Sequence, residues 1–175
     1  YDKATRDLLF QVVSAQPAPT PFVWRNLNTN IQNRGIELSL NAAIVDKKDF
    51  SWELLLNVAN NKNFVKGLEG AYDTGEINGQ GLTGAFAQRL AEGQPLFAFF
   101  LRDFQGFDES GNSIYNGDFQ RFLDGKSPLP TVTGGLTNNF RYKAFDLSLF
   151  FNGVFGNYIY SNTENAFFTA GSLAN

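Results

Sequence analysis

The sequence contains no cysteine, no histidine and no methionine in 175 residues. Without cysteine there is no disulfide, no thiol nucleophile and no thiolate metal site. Without histidine the commonest general base and the commonest transition-metal ligand are gone. Net charge is only -3, so no basic surface invites nucleic acid. No apolar run approaches the roughly 18 residues of a transmembrane helix. That last absence leaves membrane strands open, since each needs only about 10 alternating residues. A G-x-S-x-G elbow is also missing. The chain is therefore read as a non-enzyme with no catalytic residue, no cofactor and no metal.

What is abundant is aromatic. Aromatics make up 15%, including 19 Phe, and hydrophobic residues 43%. The length suffices for one domain with a core. The opening YDKATRDLLF lacks the features of a secretory leader and reads as the interior of a longer protein.

The clearest pattern is RGIELSLNAAIVDKKDFSWELLLNVANN, from Arg34 to Asn61. Ile36, Leu38, Leu40, Ala42 and Ile44 form one apolar row, and Phe50, Trp52, Leu54, Leu56 and Val58 another. The alternate positions are mostly polar, and Asp46-Lys47-Lys48-Asp49 separates the rows. Period-two alternation around a short charged turn predicts a hairpin of half-buried strands. TVTGGLTNNFRY and FDLSLFFNGVF repeat it, with Lys143-Ala144 as a tight turn. On the first segment, Leu8, Phe10 and Val12 share a side.

Elsewhere the pattern weakens. Residues 14–33 carry Pro17, Pro19 and Pro21, which cannot donate to a sheet ladder, and read as a long connection. Residues 61–94 dissolve into Asn, Gly, Asp and Gln and read as a second one. PLFAFFLRDFQGF reads as a strand, DESGN as a turn, and SIYNGDFQRFLDGKSPLP as mostly loop. No amphipathic helix of useful length is expected. Connections thus alternate between long and very short, the plan of an outer-membrane barrel. Phe50, Trp52, Tyr142 and Phe145 flank the short turns, where an interfacial aromatic girdle belongs.

Three motifs invite chemistry and have plainer readings. GQGLTG (79–84) matches G-x-G-x-x-G but lacks the hydrophobic strand before it and the helix after it, so it reads as a flexible loop. Asp108, Ser110 and Asn112 have calcium-loop spacing, but Phe119 stands where the bidentate Glu belongs. A polar hairpin turn is the simpler reading. Glu37 and Glu53 could form an acid/base couple; as hydrated wall residues they need no further role.

NIQNRGIELSLN, DFSWELLLNVANNKNFV, EGQPLFAFFLRDFQGFDESGNSIY and PLPTVTGGLTNNFRYKAFDLSLFFNGVFGNYIY together resemble the SusC/RagA family of TonB-linked outer-membrane transporters of the Bacteroidetes. The resemblance covers most of the chain and fits the second half of the barrel. It implies an all-β antiparallel meander within a transmembrane barrel of about 22 strands, with short periplasmic turns and long extracellular loops. This chain would contribute about six or seven of those strands. Residues 1–175 would be a partial receptor barrel, with the plug, the TonB box and the closing strands elsewhere. YNGDFQ departs from a DxNGDG-like stretch common in the family, which further weakens the ion reading.

The function so implied is TonB-dependent import of an oligosaccharide or oligopeptide across the bacterial outer membrane. Partners would be a SusD-like surface lipoprotein, the TonB complex acting through the plug, outer-membrane lipid and the glycan or peptide itself. Glu37, Asn41, Glu53, Asn57, Asn139, Arg141, Asp146 and Asn152 are the expected lumen-facing residues. Trp24 and Tyr72, placed in the long connections, are the expected ligand or partner contacts. The alternative from the residues alone is a secreted, soluble β-sandwich that binds carbohydrate.

Overall fold

A computed structural model describes residues 1–14, 17–79 and 82–167. Among the described residues the chain is nearly all-β, 64% strand with one short helix. The strands are β1 (Asp2–Val13), β2 (Phe22–Lys47), β3 (Phe50–Lys66), β4 (Ala71–Ile77), β5 (Ala85–Ala91), β6 (Ala98–Leu101), β7 (Phe104–Phe107), β8 (Ser113–Tyr115), β9 (Arg121–Phe122), β10 (Val132–Tyr142) and β11 (Phe145–Phe155). The helix, α1, is Asn162–Phe167, where the Ser161 hydroxyl accepts from the Glu164 amide at 3.3 Å. Three sheets form, ordered β1-β2-β3-β10-β11, β4-β5-β6-β9 and β7-β8.

The expected hairpins are present. Lys48-Asp49 joins β2 to β3 and Lys143-Ala144 joins β10 to β11, with Lys143 in the left-handed region at φ 54°. The two hairpins pair side by side through β3 and β10, from Phe50↔Tyr142 to Asn60↔Val132. Their turns lie at one end, where the Lys143 amide donates to the Asp49 carbonyl at 2.9 Å. Five strands, not six or seven, make this main sheet, because the central part of the chain builds sheets of its own.

Two expectations about the connections are overturned. Residues 22–33 are strand, the first half of a 26-residue β2. The prolines end at Pro21, and beyond them Leu27, Thr29 and Ile31 alternate as buried residues with exposed Asn26, Asn28 and Asn30. Residues 61–94 are also mostly strand: β3 runs on to Lys66, and β4 and β5 pair from Ala71↔Ala91 to Ile77↔Ala85. PLFAFFLRDFQGF is split into β6 and β7, whose pairing partners lie in different sheets. The segment from Ser113 to Pro130 is mostly loop, with β8 and β9 as short bridges.

The chain falls into two compact units. One comprises Tyr1–Lys3, Asn33–Lys62 and Leu129–Asn157. Many of its apolar side chains are exposed: Ile36 is 78% exposed and Phe145 77%. The other, Ala4–Gln32, Asn63–Pro128 and Tyr158–Asn175, holds the buried core. There Leu27, Ile31, Val65, Leu68 and Leu90 cluster, with Leu8, Phe10, Val12, Tyr72 and Leu96 packed against them. Ile77, Ala87 and Phe99 form a second cluster.

Candidate functional site

In the first unit the strand registers sort residues cleanly by face. Asn57, Gly135 and Asn152 stand in one row across β3, β10 and β11. Leu55, Thr137 and Phe150 make the next, Glu53, Asn139 and Ser148 the third, and Ser51, Arg141 and Asp146 the fourth. The Ser148 hydroxyl donates to the Asn139 carboxamide oxygen at 2.8 Å. Glu37 and Ser39 of β2 line the same shallow concavity as Asn57 and Asn152, and Asn41 follows them by alternation. By register Glu53, Asn57, Asn139, Arg141, Asp146 and Asn152 share one face of the sheet, with Glu37 and Asn41 at the corresponding positions of β2. Glu37 and Glu53 line different concavities of it, so no carboxylate couple forms.

Two members of this face escaped the sequence reading. Phe150, 68% exposed, lies over Gly135, its ring 3.6 Å from where a Cβ there would stand. Tyr1 lies across Gly35, where a Cβ would meet the Tyr1 ring at 2.7 Å. The Tyr1 hydroxyl reaches past it to the Asn61 carboxamide oxygen at 2.9 Å. Only glycine at 35 leaves that passage open.

The opposite face is apolar. On β3 it runs Phe50, Trp52, Leu54, Leu56, Val58, opposite Tyr142, Phe140, Asn138, Leu136 and Gly134 of β10. Asn138 is its single polar interruption on β10, and there the Trp52 indole N–H donates to the Asn138 carboxamide oxygen at 3.1 Å. Trp52 also stacks on Phe140, centroids 5.7 Å apart. Tyr142 pairs with both Phe50 and Phe145, which assembles the expected aromatic cluster at the short turns.

Along β2 the outward row changes character twice. It reads Asn26, Asn28, Asn30, Gln32, Arg34, then Ile36, Leu38, Leu40, Ala42, Ile44, then Asp46. At about 3.3 Å per residue and the usual tilt of barrel strands, the apolar part rises about 20 Å, against an apolar band of about 25 Å in outer-membrane barrels. Leu38 and Leu40, 57% and 47% exposed, have no protein covering them.

The two residues expected in long connections both lie on strands. Trp24 is on β2 and exposed. Tyr72 is on β4, half-buried, with its ring edge-on to Phe10 at 5.8 Å. Both were misplaced because the segments around them lack a continuous apolar row. Tyr72 borders a groove in the second unit, also lined by Phe10, Phe22, Thr74, Phe86 and Phe97.

The remaining motifs take their plain readings. Asp108 accepts from the Ser110 amide at 2.9 Å, the Asn112 amide at 2.8 Å and the Asn112 carboxamide at 3.1 Å. Its oxygens are committed to the β7–β8 turn. Hydrogen bonds from the Asn112 side chain, then its backbone, hold the Asp108 carboxyl below the usual carboxylate pKa. The G-x-G-x-x-G match falls between β4 and β5, so a strand follows where the fingerprint needs a helix. Residues 80 and 81 within it lie outside the described residues. No cluster of metal-ligating side chains occurs among the described residues.

No family model matches the sequence. Curated relatives do. TonB-dependent receptor P26 of Formosa agariphila is 32% identical over 199 residues, covering 99% of this chain and 20% of its own length. TonB-dependent receptor SusC of Bacteroides thetaiotaomicron is 30% identical over 198 residues, covering 100% and 19%. The chain therefore spans about a fifth of the relatives it matches. Among solved structures, the RagAB peptide transporter superposes with a TM-score of 0.72 at 19% identity, over 89% of this chain and 18% of that one.

Proposed function

Because the chain belongs to the SusC/RagA family of TonB-dependent receptors of the bacterial outer membrane, we propose that it forms one section of a barrel wall that imports an oligosaccharide or oligopeptide. A wall of this kind does no chemistry. Its strands satisfy their backbone groups within the bilayer, its polar face borders the lumen and its apolar face meets lipid. Glu37, Asn41, Glu53, Asn57, Asn139, Arg141, Asp146 and Asn152 are the lumenal surface. The two-residue turns face the periplasm, and the β4–β9 excursion, which comes between β3 and β10 in the chain, faces outward. There it meets a SusD-like lipoprotein or the imported molecule, with Trp24 and Tyr72 among the contacts. The TonB complex acts through a plug supplied outside these residues.

The observation that carries this reading is the exposed apolar row of β2, bounded on the same face by Arg34 and Asp46. A soluble sandwich would bury such a row against a second sheet. Spin labels on the full-length protein in lipid separate the two. Labels at 40 and 54 should meet dissolved oxygen but not a water-soluble nickel chelate, and labels at 41 and 57 should meet the chelate. Labels at 40 and 54 that meet neither reagent would mean a protein core, and the transporter reading would fall. Photo-crosslinkers at Trp24 or Tyr72 should capture an external partner; labelling from the periplasmic side alone would reverse the orientation.

A further inference from the structure

Asparagine followed by glycine occurs three times, at Asn78-Gly79, Asn116-Gly117 and Asn152-Gly153. Such pairs are chemically labile. The glycine nitrogen can attack the asparagine Cγ, and a residue without Cβ leaves that approach unhindered. All three asparagines are exposed, so exposure does not distinguish them. Their surroundings do.

Asn152 lies in β11, where it pairs with Gly135 and its neighbour Gly153 pairs with Gly134. Ring closure needs the asparagine to leave the extended backbone, which breaks the ladder at that point. The Phe155 ring also crowds Gly153, 3.0 Å from where a Cβ would stand. Asn116 is tied down twice by Asp103. Its main-chain N–H donates to the Asp103 carbonyl at 2.8 Å, and its carboxamide donates to the Asp103 carboxylate at 3.1 Å. Turning the Asn116 Cγ toward the next nitrogen would break a charge-assisted bond. A Cβ at Gly117 would run into the Arg121 guanidinium, so the space for a ring is taken.

Asn78 has none of these restraints. It follows Ile77, the last residue of β4, and its side chain makes no hydrogen bond among the described residues. Gly79, at φ 103°, has nothing within 4 Å of the Cβ position. Its carbonyl accepts from the Thr83 hydroxyl at 3.1 Å, a bond that does not engage its nitrogen.

We infer that Asn78 is a site of spontaneous deamidation, set apart from Asn116 and Asn152 by the fold. The Gly79 nitrogen gives its proton to hydroxide and bonds to the Asn78 Cγ. The Cγ–Nδ2 bond breaks, and the nitrogen takes a proton from water and leaves as ammonia, closing a succinimide. Water then adds to one of the two ring carbonyls, giving aspartate or isoaspartate. The change falls on a binding-sized wall. Asn78 lines a cavity of about 360 Å³ with Tyr158, Tyr160 and Glu76, the one charged residue among the described residues that line it. Deamidation puts a second carboxylate there, and isoaspartate also reroutes the main chain through Cβ just after β4.

The test holds purified full-length protein in mildly alkaline buffer and maps its peptides by mass spectrometry, with isoaspartate methylation as a second readout. Asn78 should convert at least about tenfold faster than Asn116 or Asn152, a barrier difference of about 1.4 kcal/mol. In denaturant the three should convert at similar rates. Asp103→Ala should bring Asn116 toward the rate of Asn78 and leave Asn78 unchanged. Equal rates in the folded protein, or faster conversion at 116 or 152, would overturn the inference. So would an intact Asn78 after a time that converts the denatured chain. A tenfold lead for Asn78 that persists in denaturant would assign the difference to local sequence and overturn the role of the fold; this comparison needs no variant.

Discussion

At the scale of single residues, Asp7 marks a change of face within β1. Tyr1 and Gly35 exchange backbone hydrogen bonds, and Asp2 pairs with Arg34 at 2.8 Å, which sets even positions of β1 beside even positions of β2. Further along, Leu8, Phe10 and Val12 pack with odd-numbered Leu27 and Ile31. The strand has changed face, and Asp7, at φ 56°, is the left-handed residue where it does so. Asp7→Val should destabilise the full-length protein by about 1–2 kcal/mol, while Asp7→Gly should not, as read by denaturant unfolding in detergent. Leu40→Arg or Leu54→Arg should cost about 2–4 kcal/mol if these residues lie near the bilayer midplane, whereas Asn41→Arg and Asn57→Arg should cost far less. Asp108 gives a pH signature. Its folded pKa is depressed below the ordinary 3.8, so its contribution is present above that value and lost as pH falls through the depressed one. Amide-exchange protection at Asn112 should therefore persist through mildly acidic pH and disappear below the ordinary carboxylate range; Asp108→Asn should remove that dependence.

At the scale of elements, the two short-turn hairpins were legible because each face meets a single medium, so the period-two signal is undiluted. The first half of β2 was missed for a physical reason. Its outward row is Asn26, Asn28, Asn30 and Gln32, poor strand formers by propensity, and only packing of Leu27, Thr29 and Ile31 makes it strand. β4 was missed similarly: AYDTGEI buries only Thr74 and Ile77. The polar face could be read from alternation, but the groove could not. It is built from residues far apart in sequence, which no local pattern brings together. Asn138 tests the apolar face as a unit. Trp52→Phe should destabilise the β3–β10 pair by stranding a carboxamide in hydrocarbon, and Asn138→Leu should restore stability in the double variant. Independent, additive losses in that cycle would show that the contact is unimportant.

At the scale of the molecule, the five-stranded sheet ends at β1 and β11, and an unpaired backbone group in lipid costs several kcal/mol. This chain produced alone should aggregate or pair its edges with another chain; a monodisperse, detergent-free monomer in analytical ultracentrifugation would contradict both that and the membrane reading. β2 bears on how the intact assembly behaves. In the barrel reading its outward row would act as a draught mark, with Arg34 and Asp46 at the two waterlines. Sinking or lifting the wall by two residues, about 5 Å along the membrane normal, would carry one of those charges into the oil, with a penalty that climbs toward about 2–4 kcal/mol for Arg at the midplane. A vessel trimmed this way cannot bob.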